Sequence, residues 1–119
     1  MSSPLRVVLS DFTRIEGVLA AAIISKDGFV IDMVHTGEAN IDADSLAAMV
    51  TTLYGASIRL GEEMGIGEPD DVILEYRNNY ILLQDVGEAL VSLLADRRAI
   101  LGRLRYELRK QRDRIRSAL

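Results

Sequence analysis

Apolar residues recur along the chain with two different periods. Leu5, Val8, Leu9, Phe12 and Ile15 follow one another at steps of three and four, the spacing of a helix that buries one face. Ser3 before Pro4 supplies an N-cap and a first turn, and Gly17 closes the segment. Val18 to Ser25 reads VLAAAIIS without alternation, as a strand covered on both faces does. In FVIDMVH, Val30, Asp32 and Val34 alternate with Phe29, Ile31, Met33 and His35. Asp32 on one face places that strand nearer a sheet edge. Between the two runs lies Ser25-Lys26-Asp27-Gly28. Asp-Gly flanked by apolar runs is a strong hairpin signal, because glycine accepts positive φ at little steric cost. The polar island therefore reads as a turn.

Thr36 to Asn40 reads as a loop, and a long helix follows from Asp42 or Asp44 to Met64, with those carboxylates suited to its N-terminus. Leu46, Met49, Val50, Leu53, Leu60 and Met64 form one apolar stripe, while Ala48, Thr52, Gly55 and Arg59 form a second, mostly of small side chains. A mid-helix glycine costs about 1 kcal/mol relative to alanine. Close approach of another backbone would explain Gly55; a tolerated glycine on a solvated face is the alternative. Gly65 and Gly67 stop the helix, and DVILEY (71–76), YILLQDV (80–86) and EALVSLLA (88–95) read as three short strands joined by turns at 77–79 and 87–88. The last is apolar on both sides and belongs mid-sheet. Asp96 is placed to cap a final helix, 97–119, with Ile100, Leu101, Leu104, Leu108, Ile115 and Leu119 on one face. The pattern predicts one α+β domain over 1–119: a five-stranded antiparallel sheet with helices on both faces, in the order α-β-β-α-β-β-β-α.

Composition adds a charge asymmetry. Residues 1–96 hold 5 basic and 16 acidic side chains, a balance of −11, whereas residues 97–119 hold 9 basic and 2 acidic ones, a balance of +7. A basic tail on an acidic body suits nucleic acid, an acidic membrane surface or an acidic protein partner. It equally suits an arginine-rich helix that pairs with the acidic body of its own or a neighbouring subunit. Apolar residues, at 49%, are enough to fill a core in 119 residues. No apolar run is long enough to span a membrane, and MSSPLRVVLSDF has neither the basic start nor the apolar stretch of a secretion signal. With no cysteine in the chain, the simple expectation is a cytoplasmic protein.

Candidate chemistry is sparse. His35 is the single histidine and cannot assemble a metal site alone. Gly65-Ile66-Gly67 lacks the strand before it and the helix after it that a dinucleotide fingerprint needs, and no phosphate-binding Gly-Lys-Ser/Thr occurs. Glu62-Glu63 and Asp70-Asp71 read as solvated charges, Lys26 and Asp27 as an exposed hairpin tip, and no serine has a nucleophile-elbow context. No catalytic residue, cofactor or metal is expected. Nucleic acid is disfavoured because Tyr106 is the sole aromatic of the basic helix and the body would repel phosphates. A membrane is disfavoured because the apolar face of that helix lacks Trp and Phe and suits packing on the sheet.

The order of elements and several local strings resemble the Roadblock family, named for a dynein light chain, and in particular its small prokaryotic MglB-like members. The strings are GVLAAA (17–22), SKDGFV (25–30), GIGEPDDV (65–72), ALVSLLA (89–95) and ILGRLR (100–105), within roughly residues 5–116. The resemblance implies a sheet with the first and last strands central. It also implies a dimer, homo- or hetero-, in which the long second helices pair and the third strands meet edge to edge. That would give Ala48, Thr52, Gly55 and Arg59, with Val72, Leu74 and Tyr76 of the third strand, to a homodimer interface. It carries over no catalytic residue. It implies a regulator of a Ras-like small GTPase or, alternatively, a dimeric scaffold in a signalling or motor complex. Arg59 and Arg77 are the exposed arginines outside the tail from which an arginine supplied in trans would come. The final helix is more basic than the family pattern demands, so its role stays open.

Overall fold

Ser3 accepts a hydrogen bond from the Arg6 amide and Pro4 occupies the first turn, so the expected cap opens helix α1 (Pro4–Thr13). The computed structural model describes residues 3–37 and 40–119; Glu38 and Ala39 of the expected 36–40 loop lie outside the described residues, as do Met1 and Ser2. After α1 come β1 (Val18–Ser25), β2 (Val30–His35), α2 (Ala43–Met64), β3 (Asp71–Glu75), β4 (Asn79–Asp85), β5 (Ala89–Asp96) and α3 (Leu101–Ala118). This is the α-β-β-α-β-β-β-α order that the periodicities predict.

The strands form one five-stranded sheet in the order β2-β1-β5-β4-β3, every pair antiparallel. The two strands that are apolar on both faces, β1 and β5, lie side by side in the middle. β2, the strand that carries Asp32, lies at one edge, and β3 lies at the other. Alternation along the central strands feeds two cores. Ala21, Ile23, Val91 and Leu93 pack beneath α1 and α3, against Phe12, Leu104, Leu108 and Ile115. Ala22, Ile24, Leu83 and Leu90 pack beneath α2, against Ala47, Val50 and Tyr54.

Helix α3 begins later than the sequence suggests. Asp96 is the last residue of β5 and pairs in register with Asn79. Its carboxylate accepts from the Arg98 amide at 2.9 Å and pairs with the Arg98 guanidinium at 2.8 Å, so it does not cap a helix. Residues 97–100 form a connection, and Ile100 takes the N-cap position without a side-chain hydrogen bond. In that connection Arg97 reaches back to the β3–β4 turn. It donates to the Tyr76 and Arg77 carbonyls, pairs with Glu75 at 2.8 Å and stacks over the Tyr80 ring. These bonds clamp the far end of the β3–β4 hairpin to the sheet.

Candidate interaction surface

Helix α2 starts at Asp42, whose carboxylate accepts from the Ser45 amide at 3.2 Å; the same hydrogen bond holds the carboxyl below its ordinary range. It stops at Gly65, which adopts φ +68 and donates to the Glu62 carbonyl, while Ile66 donates to the Gly61 carbonyl. This pair of bonds satisfies carbonyls that the helix end would leave open. Gly61 is buried, and a Cβ there would overlap the Gly67 carbonyl oxygen. A close backbone approach does occur in this helix, but at Gly61. At Gly55 a Cβ would meet nothing within 4 Å.

The inward face of α2 is Ala47, Val50, Tyr54 and Gly61. Ala48, Thr52, Gly55 and Arg59, the small-residue stripe, all point to solvent. The apolar stripe splits. Leu46, Val50 and Leu53 pack on the sheet, but Met49, Leu60 and Met64 are 71%, 60% and 63% exposed. Those three apolar side chains have no place in the core. Met49 instead shares a shallow outward patch with Ala48, Thr52, Leu53 and Ala56.

At the β3 edge, Val72 packs on the core beneath α2 and Leu74 is half-buried on the same face. Tyr76 lies just past the strand and is 51% exposed. Among the described residues β3 pairs only with β4, so its outer edge is open. A groove of about 320 Å³, lined by Leu60, Gly61, Ile66, Pro69 and Val72 among others, joins the flank of α2 to this edge. Helix α2 and the β3 edge therefore meet on one side of the sheet, where the groove brings Leu60 beside Val72.

Two polar clusters escape sequence reading. Lys26 lies at an exposed turn, as expected, but its ammonium pairs with Asp85 at 2.9 Å. The same carboxylate accepts from the Tyr54 hydroxyl at 2.7 Å and the Gly87 amide at 2.7 Å. Partial burial alone would raise the Asp85 carboxyl; the Gly87, Tyr54 and Lys26 donors together hold it below the usual carboxylate range. Burial, then the bond to Asp85, pushes the Tyr54 phenol up. In the second cluster Asp71 is not a solvated charge. Its side chain is only 6% exposed and faces Arg105 at 3.8 Å and Arg109 at 3.4 Å. Both clusters join residues far apart in the chain, which local spacing does not reveal.

Arg59 and Arg77 are exposed and make no ion pair among the described residues. His35 stands at the end of β2, its Nδ1 hydrogen-bonded to the Thr36 carbonyl at 2.8 Å. No helix is long and apolar enough to cross a membrane, and no group of three His, Cys, Asp or Glu side chains is placed to hold a metal ion, both among the described residues.

The model of the Roadblock/LC7 domain matches residues 5–95. The chain belongs to the Roadblock/LC7 family. The match ends at Ala95, before α3 begins. An uncharacterised protein of Methanocaldococcus jannaschii is 30% identical over 110 residues, which cover 92% of each chain. The fold is similar to that of Myxococcus xanthus MglB, with a TM-score of 0.86 at 22% identity over 95% of this chain and 92% of that one. It is equally similar to the gliding protein MglB of Thermus thermophilus, with a TM-score of 0.87 at 21% identity over 99% and 92%.

Proposed function

We propose that this Roadblock/LC7 chain is a non-catalytic, cytoplasmic, homodimeric regulator that binds a Ras-like small GTPase. One observation carries the reading: the outward side of α2 exposes Met49, Leu60 and Met64 and runs into an unpaired strand edge. Apolar side chains and open backbone groups on one surface are costs that a partner removes. In the dimer α2 packs against its counterpart over Ala48, Thr52, Gly55 and Arg59, whose mostly small side chains permit close approach. The β3 edges meet with Val72, Leu74 and Tyr76 beside them. Likeness of fold to the MglB proteins, one of which is solved in a tetrameric arrangement, supports self-association of this chain. Regulation then rests on different affinities for the two nucleotide states of the GTPase, since a ligand shifts an equilibrium only by its differential affinity.

The test is a pull-down from the source organism's cytosol on the immobilised protein, run in parallel with excess GDP and with a non-hydrolysable GTP analogue. The regulator reading expects a small GTPase enriched in one arm. The same proteins retained in both arms, with no GTPase among them, would make the chain a dimeric scaffold instead.

A further inference from the structure

The two ends of β3 carry different exposed groups. Just past its C-terminal end stand Tyr76, 51% exposed, and Arg77, which makes no ion pair among the described residues. Their backbone is fixed: the Tyr76 amide donates to the Asn79 carbonyl at 2.8 Å, and Arg97 donates to the carbonyls of both residues. Beside the N-terminal end lies the groove of about 320 Å³ lined by Leu60, Ile66, Glu68, Pro69 and Val72 among others. Ile66 is 77% exposed, in a loop whose Gly67 carbonyl packs over Gly61. Glu68 and Asp70, both exposed, make no ion pair among the described residues.

Strand geometry brings these two ends together across a dimer. Val72 packs beneath α2, whereas Ile73 packs in the core on the opposite face and Glu75 meets Arg97. Alternation then puts Leu74 and Tyr76 on the α2 face with Val72. A two-fold normal to the sheet keeps both α2 faces on one side and runs the two β3 edges antiparallel. With the axis at Ile73, the middle residue of Asp71–Glu75, Tyr76 of one protomer lies opposite position 70 of the other. A slip of two residues, the smallest that keeps the same side chains inward, moves it to position 68 or 72. In each register it stands at the groove, on the face where the groove opens.

We propose that, in the dimer inferred above, Tyr76 of each protomer seats in the groove of the other, and Arg77 pairs there with Glu68 and Asp70. The proposal rests on the β3 edges meeting and does not depend on the GTPase. A ring and a cation at one end of a strand match an apolar groove and two carboxylates at the other, so the surface is self-complementary. A second copy of this chain is therefore its occupant. Tyrosine on a backbone that Arg97 already holds loses little freedom on seating, which suits an interface anchor. Arg77 is thereby spent within the dimer.

The test measures the dimer dissociation constant by sedimentation equilibrium, for variants that keep the wild-type melting temperature. Tyr76→Ala is expected to weaken the dimer about thirtyfold, and Tyr76→Phe, which keeps the ring, less than about threefold. Arg77→Glu, and separately Glu68→Lys with Asp70→Lys, are each expected to weaken it about tenfold. Mixed together, these two charge variants are expected to form mixed dimers in preference to either parent in native mass spectrometry, because opposite charges then meet at both sites. Lys110→Glu, exposed on α3, is expected to change the constant by less than about twofold. A wild type that is monomeric at every concentration would sink the dimer reading and this proposal together. A dimer indifferent to Tyr76→Ala, random assortment of the charge variants, or equal weakening by Lys110→Glu and Arg77→Glu would overturn the proposal and leave the dimer standing.

Discussion

Helices α2 and α3 cover opposite faces of the same sheet but spend their apolar residues differently. In α3, Leu104, Leu108 and Ile115 are all fully buried, and arginines occupy much of the rest of the helix. In α2, the sheet takes Ala47, Val50 and Tyr54, and Met49, Leu60 and Met64 remain outside. Helix α3 leaves Tyr106 exposed and, at its N-cap, Ile100, but buries its leucine and isoleucine row. Helix α2 carries more outside, and that surplus lies beside the open β3 edge. The surplus is what a second protein would cover.

Matched truncations separate the two helices most directly. Leu108→Ala removes a fully buried side chain and is expected to cost about 2–5 kcal/mol. Leu60→Ser is expected to change the stability of the protomer by less than about 0.5 kcal/mol, because 60% of Leu60 is already exposed, while weakening self-association. Urea unfolding of both variants in dilute solution separates the two effects. A costly Leu60→Ser would return Leu60 to the core.

Glycines sharpen the same contrast within α2. Gly61→Ala forces a methyl group onto the Gly67 carbonyl and is expected to cost about 1–3 kcal/mol. Gly55→Ala meets nothing and is expected to stabilise the protomer by about 0.5–1 kcal/mol. Urea midpoints that moved in the same direction would mean that the two positions are equivalent.

Asp85 ties Tyr54 of α2 to Lys26 of the β1–β2 turn and is expected to contribute about 1 kcal/mol at neutral pH after solvent screening. Its carboxyl is held below the ordinary value of about 3.9. The contribution is therefore complete above about pH 4 and is lost as pH falls through the lowered folded-state value. Melting curves of wild type and Asp85→Asn from neutral to acid should converge below about pH 4. A constant gap would remove the carboxylate as its cause. The smallest effect is expected from Lys26→Ala with Asp27→Asn. The Lys26 ion pair is 44% exposed on the lysine side and is worth under about 1 kcal/mol. Binding should survive that double change, and a large loss would make the hairpin tip part of a site.

Much of this arrangement is legible in the sequence, for identifiable reasons. Alternation and helical spacing are local, so VLAAAIIS, DVILEY and the stripe on α2 name their elements directly. The doubly apolar strands β1 and β5 reveal their central position by composition alone. What local spacing hides is long-range pairing. Asp96 looks like a helix cap, yet its register with Asn79 keeps it in β5 while Arg97 turns back to the β3–β4 carbonyls. Asp71 looks solvated until arginines 34 and 38 positions later fold over it. Periodicity also finds the apolar stripe on α2 without saying how much of it one sheet can cover. Met49, in that remainder, shares a patch with Ala48 and Thr52 of the stripe assigned to the proposed dimer.

The proposed dimer requires α2 to meet its counterpart through the outward stripe. The direct measurement is the solution mass of wild type and Gly55→Leu by light scattering across a range of concentrations. A dimeric wild type and a monomeric, folded Gly55→Leu are the predicted result. A variant that stays dimeric would remove this helix from the interface and contradict the account.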